Sequence, residues 1–556
     1  MAVDTLIKDA LIVDGTGEPA YHGDIAIKAG RITAVGDTGE SAPRVIDGSG
    51  LAATPGFWDV HTHYDAQLLW DPLASSSVWH GVTTIVTGNC GFTIAPVRPR
   101  DQDYLVRMLA RVEGMEYAAL ESTLPWAWES FGEYLEVLER RLGVNVLPMV
   151  GHSAVRRYVL GEEASQRPAT PDEIETMRGI VHDSLAAGAF GVSSTRGGTH
   201  WDGDGAPVPS RLADDDEFRA LVSAMSGMER GFIQGTGGPS LGAELAEIAG
   251  RPYLYPQITQ VVTEDPDSWR RQLDALQAEI ASGKRFFGMG PVNRRQFEMS
   301  MDNTNVFDRW ATWQTLMSAP LDERKDRLRD PALRDRLRSE MKGETLPVMP
   351  FSWELLTLFE SPTGRWSRFE GKRVPEIAGE LGKDALDTLL DIVLDEDLGT
   401  QFHYDDTRYP DEDVLIEILK APHMLVGPSD AGAHLVTQVD TGFPSRLLGY
   451  WVREREALSL EKAVHILAAR PADELGVSDR GRLLPGQAAD IVLIDLQRVR
   501  AGDRVFARDL PRGSRRLVHQ GEGIEAVLVN GVTVRRGDAD TGDLGGRVLR
   551  GPARGG

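Results

Sequence analysis

The sequence of 556 residues is poor in cysteine and in basic side chains: it has one cysteine, Cys90, and 60 lysines and arginines against 84 acidic residues. One cysteine cannot form an internal disulfide, and a structural zinc site built from several thiolates is excluded. The net charge of −24 argues against nucleic acid or an anionic membrane as the main partner, because both attract basic surfaces.

Long hydrophobic runs are also missing. No stretch reaches the roughly 18 apolar residues that span a bilayer, and the first twenty residues lack the basic and apolar segments of a secretory signal. The sequence therefore predicts a cytoplasmic protein without a membrane partner. It leaves the oligomeric state open.

Both ends of the sequence have β-strand patterns, whereas the middle has a different pattern of secondary structure. Short β-runs with turn dipeptides occupy 1–54, and they return over 481–556 with the strong hairpin pair Asn530-Gly531. The middle, 55–480, alternates short apolar runs with helical patterns, which is typical of βα units and a parallel sheet. Candidate barrel strands lie at 56–59, 82–87, 145–150, 189–194, 231–233, 253–259, 285–289 and 424–426. The predicted fold is α/β: a (β/α)₈ TIM-like barrel with a small β-sandwich domain formed by both chain termini.

One segment of the middle, 293–345, departs from this alternation. Its charges alternate in sign, as in DERKDRLRDPALRDRLRSEMK, which indicates helices with exposed faces. Two placements stay open: a solvated helical insertion, or a lid over the barrel mouth.

The string PGFWDVHTHYDA carries the clearest chemical signal. An apolar run ends in His61-Thr62-His63, and residues i and i+2 of an extended strand point to the same face. Both imidazoles can therefore reach one metal ion, at the strand end where barrel active sites lie.

Two further strand ends carry candidate ligands. Cys90 follows the β-branched run VTTIVTG and precedes a glycine, so it is either a small buried side chain or a thiolate ligand for a soft divalent metal. Asp430 follows the last candidate strand, where it either caps a turn or serves as the general base of metal-assisted hydrolysis.

With these elements in place, the chain resembles the amidohydrolase superfamily and, within it, a divergent member of the N-acyl-D-amino-acid deacylase (D-aminoacylase) family. The resemblance covers nearly the whole chain. It rests on five features: the PGFWDVHTH string, GVTTIVTGNCG, Gly151-His152, Ser429-Asp430, and GRLLPGQAADIVLID near the C-terminus. GNCG after GVTT is the most specific, because it resembles the cysteine that this family uses as a metal ligand where relatives use a carboxylated lysine.

The lysine inventory agrees with that substitution. No lysine occurs between Lys28 and Lys284, so the first four or more barrel strands cannot supply a carboxylated lysine, and Cys90 remains as the anionic ligand. The sequence also departs from the family. Family members carry histidines after strands 5 and 6 that hold a tightly bound zinc, whereas alignment places Thr236 and Gln260 there.

The resemblance implies a metal-dependent amidohydrolase that cleaves a carbon–nitrogen bond of a small-molecule amide. We expect His61, His63, Cys90 and Asp430 to hold a divalent metal ion, zinc before others and one ion rather than two. Asp430 is also expected to act as general base towards the attacking water.

A second group of residues is predicted to contact substrate on weaker grounds, since each has an ordinary structural explanation as well. The group consists of His152, Arg196, His200, Tyr64, Thr236, Gln260 and His434. Two other functions stay open: hydrolysis of a cyclic amide, lactam or secondary-metabolite amide, and a non-catalytic binding protein derived from the enzyme.

Overall fold

A computed structural model describes most of the chain. The described residues are 3–235, 237–260, 265–294, 296–302, 304, 306–307, 310–342, 351–405 and 411–551. Within them, none of the helices combines the length and the apolar character that a membrane span requires. Strands and helices are numbered below in chain order.

The N-terminal part is a set of β-strands whose branched aliphatic side chains face a common core. The strands are β1 (Thr5–Ile12), β2 (Tyr21–Lys28), β3 (Arg31–Gly36), β4 (Arg44–Asp47) and β5 (Ala52–Pro55). Ile25 and Ile27 of β2 pack with Ile7 of β1 in one buried cluster. β1 and β2 run antiparallel, while β4 and β5 pair with β1 in parallel.

The barrel begins directly after β5. Its first seven strands are β6 (Phe57–Asp59), β7 (Val82–Thr87), β8 (Asn145–Gly151), β9 (Gly191–Ser193), β10 (Phe232–Gln234), β11 (Tyr253–Tyr255) and β12 (Phe286–Gly290). The helices between them are α1 (Gln102–Val112), α2 (Tyr117–Thr123), α3 (Phe131–Leu138), α4 (His152–Leu160), α5 (Pro171–Ala187), α6 (Asp215–Ser223), α7 (Pro239–Ala249) and α8 (Ser268–Ala281). α5 shows why the helices start where they do: the side chains of Thr170 and Glu173 form a reciprocal cap on the first turn, which begins with Pro171.

An insertion separates β12 from the last barrel strand. It comprises β13 (Gln296–Met299), α9 (Ala311–Met317), α10 (Leu321–Leu328), α11 (Pro331–Glu340), β14 (Leu356–Glu360), α12 (Val374–Leu381), α13 (Ala385–Asp395) and β15 (Gln401–Asp405). Trp313, Leu337 and Phe402 belong to its own hydrophobic core, so this unit extends beyond the predicted 293–345. The backbone N–H of Glu298 donates to the carbonyl of Thr437 at 2.6 Å, which places the insertion against the loop after the last barrel strand.

The remaining elements complete the barrel and return to the N-terminal sheet. They are α14 (Glu412–Lys420), β16 (Met424–Val426), α15 (Phe443–Arg446), α16 (Leu460–Val464), α17 (Arg470–Glu474), β17 (Ile491–Ile494), β18 (Arg500–Ala507), β19 (Arg516–Glu522), β20 (Ile524–Val529), β21 (Val532–Arg536) and β22 (Ala539–Asp540). Asn530 and Gly531 both have positive φ, 47° and 81°, and form the two-residue turn between β20 and β21.

The sheet order confirms the predicted α/β barrel with a β-domain from both termini. The eight barrel strands follow the order β16-β12-β11-β10-β9-β8-β7-β6, with parallel pairing throughout. A parallel bridge between Thr62 and Ala431 joins the ends of the first and last strands. The second sheet runs β22-β21-β20-β17-β5-β1-β2-β3, so the two termini meet at β17 and β5. All eight predicted barrel strands are present.

A buried polar cluster joins this terminal sheet to the barrel. The carboxylate of Asp490 pairs with Arg480 at 2.5 Å, accepts a hydrogen bond from the side chain of Asn145 in β8 at 3.0 Å, and accepts another from the backbone N–H of Asn530 at 2.7 Å. Asp490 and Arg480 are both buried. The cluster therefore links three segments that are far apart in the sequence.

We expect Asp490→Ala to lower the free energy of unfolding by about 3 kcal/mol, because the change leaves the guanidinium of Arg480 buried without its carboxylate. Asp538→Ala, at an exposed position of the same β-domain, is the matched control and should change stability by less than about 0.5 kcal/mol. Urea denaturation followed by circular dichroism measures both. Equal effects of the two substitutions would contradict this account of the cluster.

Candidate metal centre

Three of the predicted ligands meet at the carboxyl end of the barrel. His61 and His63 follow β6 and are 4% and 3% exposed, and Cys90 lies in a short turn after β7. One ligand atom from each of the three residues lies within 4.8 Å of the others, and the Cys90 Sγ is 3.5 Å from the His61 Nε2. The structure thus brings together two imidazoles and one thiol that are separated by up to 29 positions in the sequence.

The turn that carries Cys90 is held in an unusual conformation. Cys90 has a φ of 56°, in the left-handed region that costs energy for a residue with a side chain. Its backbone N–H donates to the Gln234 Oε1 at 2.7 Å, and the N–H of Gly91 donates to the Ser193 Oγ at 2.9 Å. Glycine is required at 88, where φ is 78° and a Cβ would collide with the carbonyl of Met149. The ends of β9 and β10 therefore orient the thiol.

Asp430 lies beside His61, one of these three candidate ligands. Its Oδ1 is 3.4 Å from the His61 Nε2, and its φ of 51° again lies in the left-handed region. The neighbouring Ser429 donates its hydroxyl to the Asp59 Oδ2 at 2.7 Å. Asp59 is fully enclosed, and burial raises its pKa to about 7. Sequence reasoning missed Asp59, although its spacing of two from His61 was a usable signal.

Burial and neighbouring charges determine the electrostatics of the centre. Desolvation holds the pKa of His63 well below its usual value, which leaves the ring neutral and able to bind a metal. Sequence reasoning also missed Glu113, whose Oε1 lies 3.7 Å from the His63 Nδ1. Burial, followed by the charges of Asp430 and Asp65, raises the pKa of Glu113 well above its usual value. No local sequence pattern distinguishes this glutamate from others that end a helix.

The donor set fits a divalent ion of the zinc class. Two imidazoles and a thiolate are ligands that zinc prefers, and a carboxylate beside them supplies a fourth donor or a base. The Nδ1 of His63 is buried without a hydrogen bond among the described residues and faces the Glu113 Oε1 at 3.7 Å, so this arrangement leaves the other ring nitrogen for a metal.

Two of the weaker candidates lie near this centre. His434 presents its Nε2 to the Glu113 Oε2 at 3.7 Å. His200 is half-buried, with its Nδ1 3.0 Å from the Thr195 hydroxyl, and burial lowers its pKa to about 4. After burial, repulsion from a protonated His434 contributes most to lowering the pKa of His200, so these two rings lie within electrostatic reach of each other.

The other weaker candidates are engaged elsewhere. His152 has both ring nitrogens in hydrogen bonds, to Ser194 at 2.8 Å and Glu217 at 2.7 Å. Arg196 pairs with Asp215 at 2.5 Å, and the Tyr64 hydroxyl lies 2.9 Å from the Ser77 hydroxyl. Gln260 is buried and donates to the carbonyl of Pro266 at 3.0 Å. Thr236 lies outside the described residues. These contacts give His152, Arg196 and Tyr64 a structural role, and their contact with substrate stays a prediction.

A cavity of about 300 Å³ lies between the loop after the last barrel strand and the strands β18 and β19. Val439 lines both this cavity and the smaller recess that contains Asp430. Three arginines border the cavity, Arg294, Arg446 and Arg504, together with the carboxylates of Glu412 and Asp440.

Comparison with known sequences gives a consistent result. A family model described as "Amidohydrolase family" matches residues 44–535. An N-acyl-D-aspartate deacylase of Alcaligenes xylosoxydans xylosoxydans is 29% identical over 553 residues, covering 98% of this chain and 95% of the relative. A D-aminoacylase of the same organism is 27% identical, covering 98% of this chain and 97% of the relative.

Solved structures share the fold over the full length. A crystal structure of D-aminoacylase matches with a TM-score of 0.66 and 24% identity, covering 99% of this chain and all of the other. N-acyl-D-glutamate deacylase from Bordetella bronchiseptica, complexed with zinc and a phosphonate inhibitor, matches with a TM-score of 0.67 and 23% identity, with the same coverage. Both matches cover the barrel and the terminal β-domain of this chain.

Proposed function

Because this chain belongs to the amidohydrolase family, we propose that it hydrolyses the amide bond of a small N-acylated D-amino acid with the help of one divalent metal ion. The observation that carries the proposal is the cluster of His61, His63 and Cys90 at the barrel mouth, with Asp430 beside it. The deacylase relatives, aligned over nearly the whole chain, support this substrate class.

In the proposed reaction, His61, His63 and Cys90 would hold the ion, and Asp430 would face the reacting atoms. A zinc-class ion held there would supply Lewis acidity for the activation of water and of the scissile carbonyl. Asp430 accepts the proton of the attacking water and then donates it to the leaving nitrogen. Ser429 and Asp59 hold the loop of Asp430 through the 2.7 Å hydrogen bond between their side chains.

A single ion is favoured by the side chains at the ends of the fifth and sixth strands. In the sequence, Thr236 follows β10 and Gln260 follows β11, at the positions where the family carries histidines. Neither side chain is a normal zinc ligand. Without ligands from these two strands, His61, His63, Cys90 and Asp430 provide four donors, which suffice for one ion beside the first barrel strand.

We expect protein purified without added metal to contain about one divalent ion per chain. Elemental analysis by mass spectrometry, normalised to protein concentration, measures the ratio. Two tightly held ions per chain, or full activity of metal-free protein, would contradict the single-ion site.

The substrate is tested with a panel of N-acyl amino acids of both hands, with acidic and neutral side chains, and of cyclic amides. The deacylase relatives lead us to expect the highest kcat/KM for N-acyl-D-amino acids. Turnover of cyclic amides alone would replace the proposed substrate class. Metal binding without any turnover would favour a binding protein derived from the enzyme.

We also propose that the protein works in the cytoplasm. Its single cysteine is expected to bind metal as a thiolate, which a reducing compartment preserves.

A further inference from the structure

A buried glutamate connects the candidate metal centre to the loop after the last barrel strand. Glu113 directly follows α1, where its backbone N–H donates to the carbonyl of Leu109 at 2.9 Å. The residue is 3% exposed. Its backbone carbonyl accepts a hydrogen bond from the N–H of His434. Main chain and side chain of Glu113 thus both face the barrel mouth.

The two carboxylate oxygens are divided between two histidines. The Oε1 lies 3.7 Å from the His63 Nδ1, and the Oε2 lies 3.7 Å from the His434 Nε2. In the part of the chain that the structure describes, these rings are the ion-pair partners of Glu113. Both distances exceed the length of a hydrogen bond by a few tenths of an ångström. Such contacts commonly shorten when a ligand occupies the site.

Placing a carboxylate here is unfavourable unless something compensates it. Glu113 is 3% exposed, and removing a carboxylate from water costs several kcal/mol in proteins. The groups placed to compensate it are the two imidazole rings that face its oxygens, those of His63 and His434. Glu113 is therefore buried at a position where two ring N–H groups can satisfy it.

Backbone hydrogen bonds hold His434 in a conformation that is unfavourable for a residue with a side chain. Its φ is 52°, in the left-handed region, although histidine carries a Cβ. Besides the bond from its N–H to Glu113, its carbonyl accepts the N–H groups of Thr437 at 2.7 Å and Gln438 at 2.8 Å. The turn therefore presents the His434 ring to Glu113, four residues after Asp430.

We propose that Glu113 is a positioning residue, which accepts the Nδ1–H of His63 with one oxygen and the Nε2–H of His434 with the other. The first contact leaves the Nε2 of His63 as the metal-binding atom and fixes the ring plane. The second holds His434 at the edge of the site, within reach of substrate. This inference rests on the proposed metal-dependent function.

Metal affinity tests the first contact. We expect Glu113→Gln to weaken metal binding by a factor of 10 to 100, as is typical for the partner of a metal-binding histidine. Competition with a chromogenic chelator measures the affinity without any substrate. Glu116→Gln, an exposed glutamate three residues along the chain, is the matched control and should bind metal like wild type.

Kinetics test the second contact. If Glu113 acts through His434, the losses of kcat/KM in Glu113→Gln and His434→Gln should be less than multiplicative in the double variant. His434→Gln alone should leave metal affinity unchanged. Strictly multiplicative losses would overturn this arm of the proposal.

The outcomes separate the inference from the function on which it rests. Wild-type protein that binds no metal contradicts the proposed function. Wild-type protein that binds metal tightly, while Glu113→Gln binds it equally well, overturns the positioning role. If Glu113→Gln does not fold, Glu113→Asp keeps the charge but withdraws it by one methylene, and the same comparison with Glu116→Gln applies.

Discussion

Asp430→Asn should lower kcat by about three orders of magnitude, within the range of roughly 10²–10⁴ that general acid–base groups contribute. Asparagine keeps the size and the hydrogen-bonding oxygen of the side chain but cannot take a proton from water at neutral pH. The Oδ1 of Asp430 lies 3.4 Å from the His61 Nε2, so the group is placed to serve the atoms that the three ligands surround. Steady-state kinetics with the best substrate of the panel measures the effect.

Measuring kcat and metal content on the same sample of Asp430→Asn distinguishes a role as general base from a role as metal ligand. We expect Asp430→Asn to retain most of the ion, because His61, His63 and Cys90 remain. Asp274→Asn, on the exposed face of α8, is the matched control and should keep wild-type kcat. A kcat of Asp430→Asn within tenfold of wild type would rule out Asp430 as the base.

Cys90→Ser should lose the ion and at least about 10²-fold of the activity. A serine hydroxyl is not deprotonated near neutral pH as a metal-bound thiol is, so serine supplies no anionic donor. Elemental analysis after dialysis measures the metal, and the same panel measures activity. Full metal content and activity in Cys90→Ser would contradict the ligand role.

The lone cysteine makes a second measurement unambiguous. Any thiol reagent that reacts with the unfolded or native chain can modify only Cys90. We expect a chelator to speed the modification of wild-type protein, because removing the ion exposes the thiolate. An unchanged rate with and without chelator would show that the thiol does not bind the metal.

Much of the fold was predictable because barrel strands leave a strong local signal. Each strand is buried on both faces, so it appears as a short apolar run between turn residues, and eight such runs were found at the positions of β6–β12 and β16. The Asn530-Gly531 pair predicted its hairpin for an equally local reason, since both residues must adopt positive φ. The extent of the insertion was not predictable, because its core joins Trp313 to Phe402 across nearly 90 positions.

In the candidate site, too, some features follow from local sequence patterns and others depend on contacts between distant segments. His61 and His63 could be predicted as ligands because residues i and i+2 of a strand lie on one face. Cys90 could be predicted because it is the one cysteine of the sequence and follows a strand. His152 shows the limit of such reasoning. It follows β8 at the barrel mouth, yet both its nitrogens are taken by Ser194 and Glu217, which arrive from other segments.

The sequence by itself determined which side chains follow the barrel strands and predicted their chemistry: two imidazoles, one thiol and one carboxylate, with no lysine between Lys28 and Lys284. Only the tertiary structure decided which other groups serve that centre. Gln234 supports Cys90, and Glu113 lies between His63 and His434, because strands and loops distant in the chain converge at one end of the barrel. Residue spacing encodes contacts along one strand, whereas contacts between strands depend on the closure of the barrel.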